Sequence, residues 1–224
     1  MSALVVKITG KAFDSGATVL AKYLQTLREL SERNKVVVVT GGGNIARRYI
    51  GLARDLGVTS NYWLDEVGIA ISRLNSYLLI AAMGHKAYPK PVESLSELLR
   101  ALGSHQIVFS GGLIPGQSTA SVAIEAAEAV GSRRVYYFSA IGYVYDKDPL
   151  RYSDAKPFQV IKATELKNIL EQRLLPGEYA LIDEKALDLA LRSGIEIQLI
   201  PYENPEKLWE ALSGRNPGTL IVPY

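Results

Sequence analysis

The amino-acid sequence predicts a doubly wound α/β sandwich on a mainly parallel sheet. Three observations carry that expectation. Strand-length apolar runs alternate with helical patterns along the 224 residues. The run "KVVVVT" (35–40) is β-branched without a polar break, as a strand covered on both faces of a parallel sheet requires. Glycines stand where strands stop, at Gly10, at Gly41 to Gly43, and at Gly111 with Gly112.

The elements follow in order. "ALVVKITG" reads as a buried strand ending at Gly10. "GATVLAKYLQTLRELSER" then sets Val19, Leu20, Tyr23, Leu24, Leu27 and Leu30 at helical spacing. After the valine strand a helix is expected from about Asn44 to Leu56, then a largely apolar helix, "EVGIAISRLNSYLLIAAM", and a short amphipathic one, "SLSELLRAL". "HQIVFSGG" is a strand stopping at glycines, and "STASVAIEAAEAV" is a helix opened by hydroxyl residues suited to capping. "RRVYYFSA" is the next strand. Helix "DEKALDLALRSG", strand "IEIQLI", helix "NPEKLWEALSG" and strand "GTLIVP" complete the alternation. No composition break, linker or repeat interrupts it, so residues 1–224 are expected to form one domain.

Composition excludes several classes of function. The formal charge of +2 argues against a nucleic-acid partner, which would demand clustered cations. Without Cys there is no disulfide, thiol nucleophile or thiolate metal site, and His85 with His105 makes a poor metal set. No 18-residue apolar run is expected to span a bilayer, and the N-terminus reads as a strand, so a soluble, cytoplasmic protein without a membrane partner is expected.

In doubly wound folds ligands lie beyond the carboxyl ends of the strands, where this chain keeps its glycines. Glycine admits close approach of backbone to an anion, and a helix beginning near Asn44 offers unpaired N–H groups and the positive end of its dipole. An anionic ligand such as a phosphate is implied. Neither GxxxxGK[ST] nor GxGxxG is present.

Five stretches in order, "KITGKAF", "TGGGNIARRYI", "GGLIPGQSTA", "YVYDKDP" and "PGTLIVP", together resemble the archaeal form of the uridylate (UMP) kinases of the amino-acid kinase family. The resemblance spans essentially the whole chain. It implies a three-layer α/β/α sandwich, transfer of the ATP γ-phosphoryl group to UMP to give UDP in pyrimidine nucleotide biosynthesis, Mg²⁺ carried by the nucleotide, no metal held by protein ligands alone, and a homohexamer.

The resemblance also implies roles. Lys7 would bridge the phosphates, with Lys11 as a second cation and Asp183 orienting Lys7 or holding Mg²⁺-bound water. Thr9, Gly10, Asn44, Arg48, Ser139, Tyr145 and Asp148 would face ATP. Gly42, Gly43, Arg47 and Asp65 would face UMP, Asp65 at the ribose. Leu113, Ile114, Pro115, Gly116, Gln117, Ser118 and Thr119 would surround uracil and the acceptor phosphate. Arg47 and Arg48, helical neighbours about 100° apart, cannot share one direction.

One stretch departs from the family. Relatives usually read TNVDGVY where this chain reads "SAIGYVY", so Ala140, Gly142 and Tyr143 replace Asn, Asp and Gly on the expected ATP side. Two further readings stay open: a UMP-binding sensor with a degenerate ATP loop, and another small-phosphate kinase such as isopentenyl phosphate kinase. That last group tends to carry a His after its second glycine loop, where this chain has Asn44, Ile45, Ala46 and Arg47.

Overall fold

The computed structural model describes residues 3–147, 149, 152–173 and 182–224. The N-terminal half contains β1 (Leu4–Ile8), α1 (Lys11–Asp14), α2 (Ala17–Ser31), β2 (Val36–Thr40), α3 (Gly43–Asp55), α4 (Asn61–Met83), α5 (Leu95–Ser104) and β3 (Ile107–Ser110). Then come α6 (Thr119–Ala129), β4 (Arg134–Ser139), β5 (Val144–Tyr145), β6 (Pro157–Phe158), β7 (Val160–Lys162) and α7 (Ala163–Arg173). The chain closes with α8 (Glu184–Ser193), β8 (Glu196–Pro201), α9 (Leu208–Leu212) and β9 (Leu220–Val222).

Seven strands form one sheet in the order β3-β2-β1-β4-β8-β9-β7. From β3 to β8 every pairing is parallel, whereas β9 runs antiparallel to β8 and parallel to β7. The two faces follow directly from the alternation of side chains along a strand. Val37 and Val39 of β2 join Val5, Val108, Val135 and Leu199 beneath α5, α6 and α8. Val36 and Val38 join Val6, Ile8, Phe109 and Phe138 beneath α2, α4 and α9. Helix, sheet and helix make the three layers expected, and the valine run is buried on both sides.

Capping sets several helix starts. Ser94, Ser118 and Asp183 each accept a backbone N–H from the first turn of α5, α6 and α8. Gly194 closes α8 in the left-handed region at φ 65°.

Three details differ from the expectations. The stretch "NPEKLWEALSG" splits into a 3-10 turn, Pro205–Lys207, and the five-residue α9. The strict alternation gives way over 144–173 to two short strands paired as a ribbon, then β7 and α7. The expectation of no apolar run is also corrected, because Asn61–Lys86 holds a window of mean hydropathy 1.4, long and apolar enough to cross a membrane by length and composition alone. That helix is tied to the sheet through its polar side chains. Asn75 Nδ2 donates to Gly41 O at 2.8 Å, and Thr40 Oγ1 bonds Ser72 O and Ser76 Oγ, each at 2.7 Å.

Candidate functional site

The strand ends converge through glycine packed on glycine. A Cβ at Gly10 would lie 1.9 Å from Gly43 N, and one at Gly41 would lie 2.7 Å from Gly10 N. At Gly111 and Gly112 the obstacles would be Ser72 and Ile69 of α4. Close approach is therefore the role of these glycines, as expected, but the partner is the chain itself: they bring the β1 loop, the β2 loop and α4 together. Gly43 alone in this group adopts a left-handed backbone, φ +67°.

One of the N–H groups expected to be unpaired at the start of α3, that of Asn44, is paired within the chain. Both carboxylate oxygens of Asp14, on α1, lie 3.0 Å from the Asn44 backbone N–H. The positive helix end thus already holds an anion of the chain's own. No sequence signal pointed to Asp14, which stands thirty positions before its partner.

Two cavities flank that helix start. One, about 530 Å³, is lined by Lys11, Asn44, Arg47, Ala140 and Ile141. The other, about 190 Å³, is lined by Gly42, Gly43, Asp65, Gln117 and Thr119 with the α4 residues Gly68, Ile69 and Ser72. Five of the eleven residues expected at UMP thus line the smaller cavity, and of those expected at ATP Asn44 lines the larger. Arg47, expected at UMP, does not line the smaller cavity. Its guanidinium donates to Asn44 Oδ1 at 2.9 Å and it lines the larger cavity, while Arg48, turned away on the helix, lines neither.

The 113–119 segment is held at many points. Asp65 Oδ2 accepts the Gly116 N–H at 2.7 Å, and Lys185 Nζ donates to Gly116 O at 2.9 Å. Arg73 grips its beginning through Gly112 O at 3.0 Å and Leu113 O at 3.2 Å. Ser118 caps α6 and donates its hydroxyl to Asp183 Oδ2. Gln117 Nε2 donates to Glu125 Oε2 at 2.5 Å, which leaves its buried Oε1 without a partner beside the smaller cavity. Ile114 is exposed, and Pro115 precedes the anchored glycine. Arg73 and Lys185 were not foreseen, since long cations look alike in a sequence whether they reach solvent or a carbonyl.

Lys7 is buried, 5 % exposed, on the α6/α8 face of β1. Its Nζ donates to Tyr137 Oη at 2.8 Å and lies 4.0 Å from that ring's centroid. Burial lowers its pKa to about 7, opposed by the charge of Asp183. Asp183 acts on Lys7 through space; its own oxygens take Ala186 N–H at 3.0 Å and the Ser118 hydroxyl. The hydrogen-bonding partner of Lys7 is thus Tyr137 rather than Asp183. Lys11 is exposed, 5.7 Å from the Tyr202 ring centroid.

On the expected ATP side, Thr9 is buried and its backbone N–H bonds Phe138 O at 3.0 Å. Ser139 is buried and turns its hydroxyl to Ile141 O, closing the loop after β4. Tyr145 sits in β5, opposite Pro157. Asp148 lies outside the described residues. Gly142 packs on β8, where a Cβ would lie 2.4 Å from Pro201 Cγ. Tyr143 keeps a negative φ, like every described non-glycine residue.

Comparison with known proteins bears on this arrangement. Residues 2–201 match the model of the Amino acid kinase family. A protein named "Uridylate kinase" from Staphylothermus marinus is 54 % identical over 220 residues, 98 % of each chain. One of the same name from Pyrobaculum calidifontis is 41 % identical over 219 residues, covering 98 % of this chain and 99 % of that one. The crystal structure of uridylate kinase from Archaeoglobus fulgidus superposes with a TM-score of 0.88 at 29 % identity, covering 99 % of this chain and 100 % of that one.

Proposed function

The chain belongs to the amino acid kinase family, and we propose that it transfers the γ-phosphoryl group of ATP to UMP, giving ADP and UDP. The observation that carries this reading is the pair of cavities divided by the start of α3, one lined by the cations Lys11 and Arg47 and the other by Asp65, Gln117 and Thr119. A two-substrate phosphoryl transfer needs that division, with donor and acceptor entering from opposite sides.

The chemistry demands little beyond placement and charge. An acceptor phosphate oxygen is already ionised at neutral pH, so no general base is required, and catalysis rests on alignment and on stabilising charge that spreads over the transferred group. Lys7, Lys11 and Arg47 supply cations, and the N-termini of α3 and α6 supply oriented N–H dipoles. On the acceptor side, Asp65 has a second oxygen to offer a ribose hydroxyl, and the unpartnered Gln117 Oε1 suits an N–H donor of the base. Mg²⁺ fits as an ion carried by the donor phosphates, where it would neutralise charge, with Asp183 the carboxylate suited to its bound water.

Self-association belongs to the same proposal. Ile45, Tyr49, Leu52 and Leu56 of the α3 region and Tyr62 and Trp63 of α4 are exposed large apolar side chains, which supports burial against further copies in a homohexamer. We place the enzyme in the cytoplasm, with its nucleotide substrates.

An assay coupled to ADP release, run with UMP, CMP, AMP and isopentenyl phosphate, tests the assignment. Turnover of UMP well above the others is expected, and equal turnover of AMP would overturn it. Light scattering on the purified chain tests the hexamer.

A further inference from the structure

Lys7 and Tyr137 are register partners. In the parallel pairing of β1 with β4, Lys7 stands opposite Tyr137, so both side chains leave the sheet on one face. They leave it toward the layer formed by α6 and α8, whose first turns are capped by Ser118 and Asp183. The lysine is almost fully buried there and carries three N–H donors onto a sheet face it shares with Val5, Val39, Val135 and Leu199. An unpartnered buried ammonium is costly and would either shed its proton or swing to another rotamer.

Tyr137 counters both outcomes. Its hydroxyl accepts at 2.8 Å, and the ring lies 4.0 Å from Nζ, within the range at which a ring face attracts a cation. Two contacts from one side chain, at its edge and its face, leave the lysine little rotamer freedom. Asp183 is the other described ionisable group acting on it, at longer range and without a hydrogen bond to Nζ. Neither the sequence pattern nor the family resemblance pointed to Tyr137.

We propose that Tyr137 is a positioning residue for Lys7: it fixes Nζ near the end of β1, favouring the ammonium form and aiming it for phosphate contact. The proposal rests on the kinase reading for the purpose of that aim, while the pairing itself stands on geometry. Because burial already draws the Lys7 pKa down to about 7, loss of the phenol oxygen shifts the amine further toward its neutral form at working pH.

The test combines a titration that needs no activity with kinetics. The full chain, labelled with ¹³C at lysine Cε, is titrated by NMR from pH 5 to 10, the Lys7 resonance being assigned by its loss in Lys7→Met. Tyr137→Phe keeps the ring and removes the oxygen; it is expected to lower the Lys7 midpoint by at least half a unit, and Tyr137→Leu by more. In the unmodified chain the Lys7 Cε protons should resonate upfield of other lysines because of the ring, and their absence from that region overturns the pairing without any variant. In phosphoryl transfer to UMP, Tyr137→Phe should lower kcat roughly tenfold at pH 7.5, as loss of a hydrogen bond to a charged group does. KM for UMP should stay within twofold, and the deficit should shrink at pH 6. An unmoved midpoint, or a kcat and pH profile equal to the parent's, overturns the proposal. A lowered midpoint in a parent chain that does not phosphorylate UMP upholds the pairing and removes the kinase reading instead.

Discussion

Asp14 sets both carboxylate oxygens 3.0 Å from the backbone N–H of Asn44, so a side chain from α1 caps the first turn of α3 between the two cavities. The contact satisfies an orphan helix donor and complements the helix dipole, yet it puts a negative charge where a phosphate would also be drawn. Asp14→Ala should therefore lower stability by about 1 kcal/mol, as loss of a cap does. It should also lower the KM for ATP by a few-fold. Thermal denaturation and ATP saturation curves check the two halves, and a raised KM for ATP would show that Asp14 instead shapes the donor site.

Asp65 serves the loop and, in the proposed function, the acceptor nucleotide. Its Oδ2 holds Gly116 N–H, so Asp65→Ala removes an anchor of the 113–119 segment together with the ribose contact. KM for UMP should rise on the order of tenfold or more, with a smaller change in kcat. Steady-state kinetics with UMP varied at saturating ATP would show it, and an unchanged KM would exclude Asp65 from the acceptor site.

Lys7 should trade stability for turnover. Lys7→Ala is expected to cost on the order of a hundredfold or more in kcat with little change in UMP binding, because the charge acts mainly on the transition state. Its folded pKa of about 7 lies below the ordinary lysine value of 10.5. Between those values the unfolded chain binds more protons than the folded one, so stability rises with pH across that window and the charged form is a burden below pH 7. Lys7→Met should therefore raise stability, most below pH 7 and progressively less toward pH 10, by up to a few kcal/mol. Denaturation of both proteins at pH 6 and 9 measures this, and a gain independent of pH would mean that Lys7 stays charged in the fold across that range, its pKa undepressed.

The loop after β4 has no room for a side chain at Gly142, where the family resemblance implies an acid. A side chain there would meet Pro201 Cγ at 2.4 Å and Pro201 N at 2.7 Å, so restoring the usual acid with Gly142→Asp should destabilise by about 1–3 kcal/mol through overpacking. ATP binding should then worsen rather than improve. Ala140 lines the larger cavity, so Ala140→Asn should change the KM for ATP without changing Tm. Calorimetric titration of ATP with thermal melts of each variant checks both expectations, and a stable Gly142→Asp with tighter ATP binding would refute them.

The sequence by itself determined the layers and the location of the site. A β-branched run has few other homes than a two-sided strand, helical spacing names its own face, and glycines at successive strand ends imply a place where backbones crowd. Those are short-range properties, set by sterics and side-chain periodicity. It also marked Asp65, Gln117 and Thr119 as neighbours through the family pattern, and the smaller cavity gathers them. Only the tertiary structure decided who pairs with whom. Lys7 and Tyr137 are 130 positions apart, Asp65 and Gly116 are 51 apart, and Asp14 and Asn44 are 30 apart. No local preference encodes such pairs, because each depends on strand order, on parallel register and on which face of an element is turned inward. The same holds for the glycines: their small size was legible along the chain, but that the space they vacate is filled by other backbone follows from the packing of the three loops against one another.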